Sequence, residues 1–177
     1  MARIVITYGL ISGLIIVAGI IGTIVASGDQ PHASVWLGYL IMLLGMAAVF
    51  MGVKQHRDRN HGGVIRFWPA LGTGLLIAGV ASLAYVLVWE VYLAATDYSF
   101  MPEYTAAILE RERAAGVSGE AYRELQAQMQ TYVDQYRSPL YRLPMTFIEI
   151  APVGLLVAIV SAILLQNSRF LPARARA

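Results

Sequence analysis

Four long apolar runs divide the chain, and its polar residues are gathered into the blocks between them. The runs cover residues 4–26, 35–53, 69–94 and 144–166. About 20 apolar residues in a helix cross the roughly 30 Å of hydrocarbon in a bilayer, and each run is close to or above that length. A backbone in hydrocarbon has no water to satisfy its N–H and C=O groups, so each run is predicted to be a helix. The predicted class is an all-α membrane protein with four transmembrane helices. A helical extracytoplasmic insert, residues 95–143, lies between helices 3 and 4. Residues 1–177 form a single membrane domain. Pro69 and Pro144 stand where the third and fourth helices are expected to open, a position at which the missing N–H of proline is harmless.

The insert carries its own periodicity. Pro102 is predicted to start one helix that runs to Ala115 and stops at Gly116. Ser118 caps a second that ends near Arg137, before Ser138-Pro139. In this second helix Tyr122, Leu125, Met129, Tyr132, Val133 and Tyr136 fall on one apolar, tyrosine-rich stripe. Opposite it lie Glu120, Arg123, Glu124, Gln128 and Gln135. The stripe needs a partner surface: the first insert helix, the mouth of the helical assembly, lipid, or another protein.

Composition agrees with a bilayer rather than a soluble core: 58% of residues are hydrophobic, 14% are charged and the mean hydropathy is +0.60. The first run is longer than a signal-peptide core, which is about 7–15 residues, so it is read as a retained span. There is no cysteine, which excludes disulfides and thiolate metal sites. The net charge of +2 says less than its placement. Arg3, Lys54, Arg57, Arg59, Arg66, Arg169, Arg174 and Arg176 share one side with a single acid, Asp58. The other side has Arg111, Arg113, Arg123, Arg137 and Arg142 among a majority of acids. The positive-inside rule then puts both termini in the cytoplasm and the insert outside. Trp36, Trp89, Tyr92, Tyr98, Tyr141 and Phe147 fall near the outer interface, and Phe67, Trp68 and Phe170 near the inner one.

Small residues recur at four-residue spacing: Gly9 and Gly13 in the first span, Ala70, Gly74, Ala78 and Ser82 in the third, Gly154, Ala158 and Ala162 in the fourth. Such faces let helices approach closely, within one chain or between copies of a homo-oligomer.

Glu90 and Glu149 are the two acids inside the apolar runs, each close to the insert. An intramembrane carboxylate is protonated, paired or wet, and serves as a proton relay, a cation site or a polar lock. Tyr92, Thr146, Arg137 and Arg142 are the partners within sequence reach. Pro152 frees the carbonyl of Ile148 beside Glu149 and is expected to bend the span. In the stretch 54–68, Lys54, Arg57, Arg59 and Arg66 read as a solvated basic turn at anionic lipid head groups. His56, Asp58 and His61 have no compact metal-ligand spacing, and Gly62-Gly63 reads as a turn without a phosphate-loop spacing. No catalytic triad, HExxH or nucleotide motif is present. No cofactor, metal or nucleic-acid partner is expected.

Four blocks carry a family resemblance: YGLISGLI, FMGVKQHRDRNHGGVIRFWPAL, LAYVLVWEVY and MTFIEIAPVGLLVAIVSAILL. Together they resemble domain-of-unknown-function family 4199, and the insert agrees in length and character. The resemblance implies a small bacterial inner-membrane protein with four helices and implies no activity. It places Lys54, Arg57, Asp58, Gly62, Gly63, Glu90, Tyr92, Glu149, Pro152 and Gly154 on motif positions. His56 stands where a tyrosine-like residue is expected, which speaks further against a metal role for it. The expected function is a non-enzymatic accessory, scaffold or envelope-interaction module whose insert meets a protein partner. The alternatives are a small proton- or cation-coupled transporter using the two glutamates, or a lipid-acting membrane enzyme.

Overall fold

The computed structural model describes residues 1–27 and 35–173. The expectations for Arg174 and Arg176 lie outside them. Six helices follow in order: α1 (Ala2–Ser27), α2 (Val35–Asn60), α3 (Phe67–Ala95), α4 (Phe100–Ala114), α5 (Gly119–Tyr136) and α6 (Pro139–Leu165). Among the described residues there is no strand. Four of the helices, α1, α2, α3 and α6, are long and apolar enough to cross a membrane. Their outward faces are apolar as well: Leu14 is 59% exposed and Leu87 66%. Lipid removes the penalty that water would impose on such a surface.

Two boundaries depart from the hydropathy reading. Helix α2 does not end at Val53 but continues through the charged stretch to Asn60. Polar residues outside hydrocarbon are free to stay helical, and Lys54 and Asp58 form an i,i+4 ion pair that favours it. The turn comes later, at Gly62 (φ +59°) and Gly63 (φ +88°), in a left-handed backbone conformation that glycine adopts without strain. At the other end, α6 opens at Pro139, with Ser138 at its N-cap, rather than at Pro144, which is enclosed in the helix. The sequence places residues 139–143 in the insert, because Pro144 is a favourable helix start. A paired arginine, however, can enter a buried helix.

The four long helices pack side by side. Helix α3 touches α1, α2 and α6, while α2 also touches α1 and α6, leaving α1 and α6 across from each other. Small residues set the spacing inside the chain. A Cβ on Gly74 would lie 3.0 Å from the Ala158 side chain, and one on Gly154 would lie 3.0 Å from that of Ala78. Gly9 and Gly13 meet Val80 and Ala84 in the same way. Ile16, Met46, Val49, Val53, Ile77, Ile150 and Leu165 fill the core between them. In that apolar core the Ser12 hydroxyl donates to the Gly45 carbonyl, 2.9 Å away.

Helices α4 and α5 form a hairpin turned at Gly116 (φ +93°). They pack on each other, and α5 also reaches α6. Of the α5 stripe only Val133 is buried. Tyr122, Leu125, Met129 and Tyr136 are half-buried, and Tyr132 is exposed. Ser118 occupies the N-cap of α5, but its hydroxyl makes no capping bond.

Candidate functional site

The strongest polar constellation sits where the hairpin joins the long helices. Glu90 comes from α3, one turn before its end, and Arg142 from the first turn of α6. The Arg142 guanidinium donates from Nε to Glu90 Oε1 and from Nη2 to Oε2, each at 2.6 Å. Its Nη1 donates to the carbonyl of Tyr136 at 2.8 Å and to that of Arg137 at 3.3 Å. These are the carbonyls at the C-terminus of α5, which have no partner within their helix. The planar fork of arginine therefore grips a carboxylate on one edge and a helix terminus on the other.

Aromatic rings enclose the grip. Tyr98 and Tyr136 lie 5.0 Å and 5.7 Å from the guanidinium carbon, within cation–π range. Tyr98 is held there with φ at +57°, next to Asp97 at +50°. Two consecutive non-glycine residues in this region are strained, and such strain persists only where surrounding contacts fix it. The indole Nε1 of Trp89 donates to the Tyr136 hydroxyl at 2.9 Å. Trp89 also stacks on Tyr92 and meets Phe100 edge-on. Burial pushes the Tyr136 hydroxyl's pKa above its ordinary value, while its bonds to Trp89 and Thr146 act in the opposite direction. The result is a closed cluster in which Arg142 is 2% exposed.

Glu149 is not part of this pair. It lies seven positions beyond Arg142 on α6, about 10 Å further into the span at roughly 1.5 Å per residue. It is exposed on the helix surface. Among the described residues it makes no ion pair or hydrogen bond. It lies within electrostatic reach of Tyr85 and Tyr136. The two glutamates, both expected close to the insert, thus stand at different levels and in different surroundings. Of the partners proposed for them, Thr146 is buried and donates to the Arg142 carbonyl at 3.0 Å. Tyr92 contributes its ring. Arg137 contributes only its carbonyl, since its own guanidinium is exposed, 4.0 Å from Asp134. Pro152 lies inside α6, which continues past it to Leu165. The sequence places Trp89 in an interfacial belt and Tyr136 on the α5 stripe. The signal that could have paired them is the indole N–H, which needs a partner when it is buried.

At the opposite end of the long helices, the expected solvated turn contains a fully buried arginine. Arg57 is 0% exposed. It donates from Nε to Asp58 at 2.8 Å, from Nη1 to the Phe170 carbonyl at 2.9 Å, and from Nη2 to the Leu171 carbonyl. Phe170 packs edge-on against Phe50, so the segment after α6 folds back over the end of α2. Lys54 shares Asp58. Arg59 and Arg66 are exposed. Of the four basic residues assigned to a lipid-facing turn, Arg57 is a clasp for the chain's own backbone. His56 and His61 face each other through Nε2 at 3.2 Å. Among the described residues no three His, Asp or Glu side chains converge on a metal position.

An all-helical architecture with four membrane-spanning helices, closed at one end by a buried arginine–glutamate latch, defines the class. Residues 7–167 match the family described as "Protein of unknown function (DUF4199)", and the chain belongs to it. No curated protein and no solved structure matches the chain.

Proposed function

We propose that the chain is a non-catalytic module of the bacterial inner membrane, which holds the α4–α5 hairpin at the outer surface for another protein of the envelope to bind. The observation that carries this reading is the Arg142 latch, which joins α3, α6 and the end of α5 in one buried cluster. A hairpin mounted in this way keeps a fixed pose while its polar face and part of its tyrosine stripe stay available. The charge distribution supports an outside location for the hairpin and a cytoplasmic one for both termini. A photo-reactive residue at Glu124 should give discrete protein cross-links in intact membranes, whereas one at Leu87 should give lipid adducts alone. Cells whose hairpin is replaced by a short Gly-Ser linker should lose those cross-links and behave as a deletion strain does. Wild-type behaviour of the linker strain would refute the proposal.

A second reading rests on Glu149, a carboxylate inside a span that makes no ion pair among the described residues. Proton or cation coupling would use this residue, since Glu90 is already committed to Arg142. Under that reading Glu149→Gln alone abolishes function and the linker strain keeps it. The two proposals therefore predict opposite results from the same pair of strains.

A further inference from the structure

We propose that the groove between the start of α1 and the end of α2 is a binding site for one anionic phospholipid. The groove has a volume of about 360 Å³ and is lined by Arg3, Ile4, Thr7 and Ile11 from α1 and by Gln55 and Arg59 from α2. It is chemically graded. Arg3 and Arg59 stand at its mouth, at the polar ends of two membrane-spanning helices. Thr7 and Gln55 offer neutral hydrogen-bonding groups. Ile4 and Ile11 continue along α1 into the apolar span, where Leu14 and Ile15 are exposed on the same side of the helix. Neither arginine has a carboxylate partner among the described residues. The nearby acid, Asp58, is already held by Lys54 and Arg57.

Two unpaired guanidinium groups above an apolar wall match a phosphodiester head group with its acyl chains running down the helix. A soluble anion would use the arginines and leave the isoleucines idle, so the grading favours a lipid. The site also narrows the general expectation for this end of the chain. The basic residues do not act as one solvated patch, because Arg57 and Lys54 are engaged internally and Arg59 turns toward α1 and Arg3.

The test is native mass spectrometry of the full chain in detergent, equilibrated with phosphatidylglycerol or phosphatidylcholine. Phosphatidylglycerol should remain bound and phosphatidylcholine should not. In the double variant R3Q/R59Q, apparent affinity for phosphatidylglycerol should fall on the order of thirtyfold, the effect of removing two cations near a surface. The variant R3K/R59K should stay within about threefold of the natural chain. Both arginines are exposed, so each variant should unfold at the natural chain's temperature. Glycerol phosphate at the same concentration should leave the lipid in place. Equal retention of both lipids, undiminished binding by R3Q/R59Q, or displacement by glycerol phosphate would each overturn the proposal, the last by showing a site for soluble anions.

Discussion

Arg142 is a full charge at 2% exposure, and burying it is tolerable only because Nε, Nη1 and Nη2 all meet oxygen atoms. This makes the pair asymmetric under substitution. Glu90→Gln leaves the guanidinium without a countercharge and should destabilise the protein by about 3 kcal/mol. Arg142→Met leaves the Glu90 carboxylate unpaired in an apolar helix and removes the grip on α5, with a loss at least as large. The double variant Glu90→Leu with Arg142→Met buries no charge and should recover much of the loss, so the two changes should be strongly non-additive. Thermal unfolding of the four proteins in one detergent measures this. Additive losses would show that the two residues do not act as a unit. Both residues could be named from sequence, because an acid in an apolar run and an arginine near its mouth are conspicuous. Which of Arg137 and Arg142 pairs, and with which glutamate, could not. Starting the fourth span at Pro144 leaves residues 139–143 in the insert, and this hides the fact that Arg142 is level with Glu90. The same misplaced boundary made Glu149 look as shallow as Glu90.

At the scale of elements, the two buried arginines perform matching tasks at opposite ends of the long helices. Arg142 holds the carbonyls that end α5, and Arg57 holds those of Phe170 and Leu171 after α6. Each is neutralised by one carboxylate, Glu90 or Asp58. In both cases an arginine fastens a segment that would otherwise leave the helical assembly. Arg57→Gln should therefore release the stretch after Leu165, with faster amide exchange at residues 167–173 and little change in α1. Unchanged protection there would mean that the Phe50–Phe170 contact suffices to hold it. The helix interfaces make a second prediction. Gly74→Leu drives a side chain into the backbone of Ala158, 3.1 Å from the glycine's would-be Cβ, and should cost about 1–3 kcal/mol. Gly72→Leu on the same helix meets nothing within 4 Å and should leave unfolding unchanged. The small-residue spacing was legible in sequence, because four-residue repeats in an apolar helix have a direct packing meaning. Which helix each stripe meets was not legible, since the spacing is the same whether the partner lies in the same chain or in another. The basic stretch 54–60 misled for a related reason. Periodicity shows that charges are present but not whether a distant tail, more than a hundred residues later, returns to cover one of them.

For the whole molecule, the arrangement of α1, α2, α3 and α6 puts the hairpin at one end of the long helices and the α2–α3 turn, with the α6 tail, at the other. The chain must therefore expose these two regions on opposite faces of the membrane. The proposed orientation follows charge: the end with Arg57, Arg59, Arg66 and Arg169 is the cationic one and is expected to stay inside. The absence of cysteine makes a clean test available, because any introduced thiol is the sole one in the chain. Gln128 lies on the exposed polar side of α5 and Asn60 at the exposed end of α2, so a cysteine at either place should not disturb packing. In intact cells a membrane-impermeant maleimide should label Gln128→Cys and leave Asn60→Cys unmodified. After the membrane is permeabilised both should react. Labelling of Asn60→Cys alone in intact cells would invert the topology. It would then place the hairpin in the cytoplasm and with it the proposed partner, while the latch and the α3–α6 packing would stand unchanged. Labelling of both positions in intact cells would be more damaging, since it is incompatible with an odd number of crossings between residues 60 and 128. In this fold α3 supplies that single crossing.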